Sequence, residues 1–233
     1  MGFVLTRSQE VTGSVLLVLH ATRSGLFACL CVVGAVFLTL HTIAINLNHR
    51  VARRAADMVR IDMDNTIPEK FEYSMLLVTA LLLLKAARAA KGHGLALTAI
   101  VALYLMLDNA VGIHELAGAF LYPAHARAGE VMYAAIVITA VVVPGAIIFR
   151  RSTLAERQAL MAIAIVLAMF AFFSVVVDAF HSVVVRLYDR FDLLIGTIED
   201  SGEFLSIALL LTLASRLDPF LSRRSAPVPV SAA

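Results

Sequence analysis

Residues 94–116, "GLALTAIVALYLMLDNAVGIHEL", run without a charged side chain from Gly94 to Leu107 and then place Asp108, His114 and Glu115 in close succession. In water those three would cost little, so their meaning depends on the solvent around the chain. Composition decides it: of 233 residues, 61% are hydrophobic and 15% charged, and the mean hydropathy is +0.89, well outside the range of an ordinary globular domain. Apolar windows long enough to cross a bilayer fall near 25–47, 72–90, 95–114, 130–149, 158–180 and 195–215. The expected fold is therefore an all-α integral membrane protein, a bundle of about six transmembrane helices over 25–216. A cytoplasmic or interfacial segment, 1–24, precedes it, and a disordered tail, 217–233, follows.

The formal charge is +2, from 19 basic and 17 acidic residues, and no basic tract carries interleaved aromatics for stacking on bases, so nucleic acid is not an expected partner. Cys29 and Cys31 lie two apart in one apolar run and read as small core residues, not as a disulfide or a redox pair. "VLLVL" (15–19) is short for a signal peptide and is followed by "HATRSG", so no cleavage is expected.

Six spans place both ends of the chain on one side. That side collects Arg7, Arg23, Lys85, Arg88, Lys91, Arg150, Arg151, Arg157, Arg216, Arg223 and Arg224, which assigns it to the cytoplasm. The segment 48–71 opposes this with Arg50, Arg53, Arg54, Arg60 and Lys70. Its interleaved acids suit an amphipathic helix on the membrane surface. In the second span Lys85 and Arg88 can snorkel to the headgroups. Its start, "DNTIPEKFEY" (64–73), offers Asn65 or Thr66 as cap and Pro68 for the first turn.

With this threading, acids and histidines from four segments fall at the non-cytoplasmic end: Glu69 and Glu72; Asp108, His114 and Glu115; Asp178 and His181; and Glu199, Asp200 and Glu203. Helical spacing puts Asp108 with Glu115, Asp178 with His181 and Glu199 with Glu203 on common faces. His114 needs a break near Gly112 or Gly118 to join them. Carboxylates buried together repel one another, and a divalent metal relieves this. Mixed oxygen and imidazole donors suit iron, manganese or zinc. Asp108, His114, Glu115, Asp178, His181, Glu199 and Glu203 are the candidate metal ligands, and Asp178-x-x-His181 has the one-turn spacing used in helical dimetal sites.

Plainer readings stand beside this one. Glu69 and Glu72 sit in a first turn, where the macrodipole and water favour them. Asp108 and Glu115 have Arg127 or Arg186 as ion-pair partners. His20 and His93 read as interfacial, His125 as a loop residue and His41 as unsuited to haem, with no second histidine opposite it. Pro144-Gly145 reads as a helix kink.

The stretches "DNTIPEKF", "LDNAVGIHE" and "IEDSGE" resemble a family of bacterial multi-spanning membrane proteins of uncharacterised function. That family shows an acid shortly before a proline at a span start, an Asp-Glu pair followed after four residues by His-Glu, and a late Glu-Glu-x-x-Glu. The resemblance covers roughly 60–116 and 195–205; Asn109 and Asp200 stand where the family usually has Glu. It implies a bacterial cytoplasmic membrane and no particular activity. A looser likeness is to intramembrane zinc hydrolases of the ceramidase and progestin-receptor-like superfamily. Those use three histidines and a serine, where this chain offers His114 and His181.

Three functions are compatible with these residues: a metal-dependent membrane enzyme, an accessory or assembly subunit contacting another membrane protein, and a cation or proton translocator. The largely apolar cytoplasmic halves of the spans count against transport.

Overall fold

In a computed structural model, residues 2–46, 58–60, 66–187 and 191–225 are described. Among them the chain forms α1 (Gly2–Thr22), α2 (Gly25–Asn46), α3 (Ile67–Ala90), α4 (His93–Val111), α5 (Ile113–Leu121), α6 (Ala126–Arg151) and α7 (Leu154–Ala171). A π-helical segment (Phe172–Val177), α8 (Asp178–Leu187) and α9 (Asp192–Ser225) complete it. In hydrocarbon every backbone polar group must be paired within the chain, which leaves helices as the natural solution for a chain this apolar. Six segments are long and apolar enough to cross a bilayer: Gly25–Ile45, Ile67–Ala90, His93–Val111, Ala128–Arg151, Leu154–His181 and Asp192–Ser222. The protein is a multi-pass, all-α membrane protein, as its composition predicts. The surface helix expected over 48–71 falls largely outside the described residues. Only a turn at Met58–Arg60 is seen, its Met58 carbonyl accepting from the Ile67 amide at 2.9 Å. Of the expected tail, 217–225 continues α9 and the remainder lies outside the described residues.

The central element is α9, which packs against α1, α2, α3, α7, α8 and the π segment. Its apolar residues Leu209, Leu210, Leu213 and Leu217 share one buried cluster with Leu83, Ala86, Leu95, Ala159 and Ile163. Toward the other end, Phe37, Phe71 and Phe204 form a ring trio. Phe71 stacks on Phe204 with centroids 6.1 Å apart, and Phe37 meets the two edge-on at 5.8 and 6.1 Å. The buried hydroxyls of Thr79, Ser206 and Thr212 bond to carbonyls of their own helices. Basic side chains gather at the opposite end, where Lys85 pairs with Asp218 at 3.1 Å and Arg157 with Glu10 at 2.9 Å.

Helix ends follow local chemistry. Thr66 caps α3 with Pro68 in its first turn, though the Thr66 hydroxyl makes no cap bond and is buried without a partner. Thr153 caps α7, accepting from the Glu156 amide. α4 ends at Gly112, whose φ of 65° is the left-handed conformation that glycine adopts without strain. α6 runs through Pro144 as one helix.

Two glycines mark the tightest approaches to α9: a Cβ on Gly202 would lie 2.2 Å from the Phe173 ring, and one on Gly34 2.8 Å from Phe204. Gly202→Ala is therefore expected to destabilise the protein by about 1–3 kcal/mol through overpacking. Gly25→Ala, with nothing within 4 Å, should be neutral. Thermal unfolding in detergent compares the two.

Candidate functional site

The break at Gly112 builds the first half of the site. Because α4 stops there, His114 begins a new helix directly beside the last turn of α4. Asp108 accepts from the His114 backbone amide through Oδ1 at 2.8 Å and from its Nδ1 through Oδ2 at 3.1 Å. One carboxylate thus caps α5 and orients the imidazole. Tyr104 lies near both Asp108 and Tyr133, where α4 meets α6. The same break undoes the seven-residue pairing of Asp108 with Glu115, which assumed an unbroken helix: Glu115 is exposed in the first turn of α5, beside Gly112. The proposed ion pairs with Arg127 or Arg186 fall on side chains outside the described residues.

The second half lies where the π segment, α8 and α9 meet. The π segment, in which bonds run to the fifth residue rather than the fourth, changes the register before Asp178. Ser174 within it lies near Glu203. His181 does not pair with Asp178, its one-turn neighbour. Its Nδ1 lies 3.1 Å from Glu199 and its Nε2 2.9 Å from Asp192, so both ring nitrogens are engaged by carboxylates of α9. Asp178 is exposed and acts on Glu199 and Glu203 through space.

Glu203 joins the halves, interacting electrostatically with Glu199, Asp178 and His114. Facing it from α3 is Glu72, only 8% exposed, whose carboxyl interacts with those of Glu203, Asp200 and Glu69. Glu72 read from sequence as a hydrated first-turn acid; the packing of α9 against α3 buries it instead. No hydrogen bond or ion pair reaches the Glu72 carboxyl among the described residues. The Tyr73 hydroxyl contacts the Glu69 carboxylate and the Asn109 carbonyl, the latter at 2.8 Å. His41, 2% exposed, bonds through Nε2 to Thr197 at 3.1 Å, linking α2 to the start of α9.

Of the seven predicted residues, Asp108, His114, Asp178, His181, Glu199 and Glu203 thus share one neighbourhood, and Glu115 faces out of it. Sequence reasoning missed Asp192, Glu72 as a buried member, and the hydroxyls of Tyr73, Tyr104, Tyr133 and Ser174. Among the described residues no three His, Cys, Asp or Glu side chains are grouped to hold a metal ion. His114 is joined to Asp108, and His181 to Glu199 and Asp192, while Phe71 and Phe204 are the chain neighbours of Glu72 and Glu203.

A family model described as a domain of unknown function (DUF8692) matches residues 24–217. No curated protein and no solved structure matches the chain significantly.

His114 lies outside the spanning segments, and its hydrogen bond to Asp108 holds its pKa above the ordinary 6.5, against the lowering effect of burial. The folded state therefore favours the imidazolium. This contribution to stability is full below 6.5 and is lost as pH rises through the folded value. Asp108→Asn should lower the His114 titration midpoint, read by NMR, and remove the extra stability on the acid side.

Proposed function

We propose that this chain, which belongs to the family described as a domain of unknown function (DUF8692), is a metal-binding membrane protein. Its carboxylate and histidine basin takes a divalent cation, iron, manganese or zinc, and supports metal-dependent chemistry at one membrane face. The observation that carries this is Glu72, a buried carboxyl that couples electrostatically to Glu203 on α9 and to Asp200 and Glu69. Burying a carboxylate that way costs several kcal/mol; a cation between Glu72 and Glu203 removes the cost. Oxygen donors with a nearby imidazole suit those three metals better than a thiolate-selecting one. Such an ion, once bound, activates water or oxygen.

Each half of the basin has its own task in this reading. Glu72 and Glu203, from α3 and α9, are the pair a cation meets first. His181 enters the donor set only when Asp192 or Glu199 releases one of its nitrogens. Asp108 positions His114 as a proton carrier beside Glu203. The basic end is assigned to the cytoplasm, which puts the basin at the outer face of a bacterial inner membrane. The ring trio, two of whose members adjoin Glu72 and Glu203 in the chain, argues for a resident ion and against cargo passing through.

The second reading is an accessory or assembly subunit. It is favoured by the span Ala128–Arg151, whose most apolar window has none of its residues buried within the bundle. That leaves much of this helix's surface for lipid or a partner subunit.

Elemental analysis of the detergent-purified chain, after a mild chelator, tests the first reading. Stoichiometric iron, manganese or zinc is expected. Glu72→Gln and Glu203→Gln should each weaken its retention by at least about ten-fold without preventing membrane insertion. A metal-free wild-type protein that stays metal-free when iron, manganese or zinc is supplied overturns it and leaves the accessory role.

A further inference from the structure

The first helix buries an ion-paired glutamate against the bundle, beside Leu17, Val18 and Ala21, and exposes four large apolar side chains. α1 is 21 residues long and is not among the six segments apolar enough to span, and its exposed surface mixes Ser8, Gln9, Thr12 and His20 with large apolar side chains. The face turned to the bundle carries Glu10, 8% exposed, and Ser14, 0% exposed, alongside Ala21. Glu10 is satisfied by Arg157 at 2.9 Å, and the Ser14 hydroxyl by the Glu10 carbonyl at 2.7 Å. The outward face carries Val11, Val15, Leu16 and Leu19, exposed by 49%, 42%, 59% and 45%.

A helix packed on a protein in water buries its apolar stripe and shows its polar one. Exposed apolar side chains are stable where the surroundings are as apolar as they are. The position of α1 fits that surrounding. Its middle rests on the start of α7, where the Gln158 amide donates to the Gln9 carbonyl at 2.9 Å and Gly13 leaves room for Gln158. Its end meets α9, with His20 3.3 Å from Arg216. α1 thus packs against α7 and α9 at the basic end of the bundle. Its outward residues continue the exposed apolar surface of the first span, which starts with Leu26.

We propose that α1 is embedded in the bilayer boundary, its outward face in contact with lipid acyl chains, and that the Glu10 and Arg157 pair is the polar staple that fixes it to the bundle there. The lipid contact of this chain then includes a seventh helix that hydropathy alone leaves out.

The chain contains no tryptophan, so a single introduced one reports on its own surroundings. Full-length protein carrying Val15→Trp or Leu16→Trp is reconstituted in phosphatidylcholine vesicles with or without bromine on the acyl chains. Both positions are exposed, so the larger ring displaces no neighbour. Brominated chains should lower the emission at least about two-fold at both positions, with little quenching by aqueous iodide. Emission unaffected by bromine overturns the proposal. Quenching by iodide alone would put the face in water, and quenching by neither would put it against protein, such as a second copy of the chain.

Discussion

A charge in hydrocarbon costs several kcal/mol unless it is paired or reaches water, and that cost sorts this chain. Lys85, Arg157 and Arg216 reach one end of the bundle, with Asp218 and Glu10 as partners for the first two. Carboxylates and imidazoles collect at the other. Between them the packing of α9 on α3 and α7 is apolar, apart from hydroxyls that bond to their own helices. Everything else about the site follows from having several acids confined to one shallow layer. They repel one another, so the structure supplies His114 to Asp108 and His181 to Asp192 and Glu199. Glu72 is left over.

Two departures from regular α-helix give this layer its geometry. At Gly112 the left-handed turn stops α4 and starts α5 beside it, so Asp108 can serve both a backbone amide and a ring nitrogen of one residue. At Phe172–Val177 the π segment adds a residue to the turn and carries Ser174 near Glu203. Gly202 lets Phe173 lie against α9 at that level. Both irregularities fall at the polar end, where strained or widened backbone is most often found to serve a site.

The six spans were legible because a bilayer reads total apolarity over a window and asks little of detailed pattern. That acids and histidines from several helices gather at one end of the bundle was legible for the same reason, since charge marks where an apolar window ends. Its pairings were not. Asp108 with Glu115 and Asp178 with His181 are sound pairs on an unbroken α-helix, and the helix breaks at Gly112 in one case. In the other, α9 presents closer carboxylates to His181 than its own helix does. Glu72 was misread because a first turn by itself favours hydration, and nothing local to it announces that α9 lies over it. Tyr104 and Tyr133 carry the signal of core aromatics; only their hydroxyls, which the apolar count ignores, belong to the site.

The placement of these groups on α9 bears on how the basin can work. α9 has the most buried of the spanning windows, at 67%, and supplies Asp192, Glu199, Asp200 and Glu203 from its first turns. Side chains carried by the best-packed element hold their geometry most firmly. The partners facing them come from less enclosed elements: His181 from α8, where Phe180 and Val183 are exposed, and His114 from α5, where Leu116 and Phe120 are exposed. A ligand that displaces a pairing therefore meets less resistance from the imidazoles than from the acids. Glu72 stands apart from both groups, because α3 holds it between Phe71 and the interior cluster of Met75 and Leu76. It and Glu203 are carried by the well-packed helices α3 and α9, and the two histidines by the less enclosed α5 and α8.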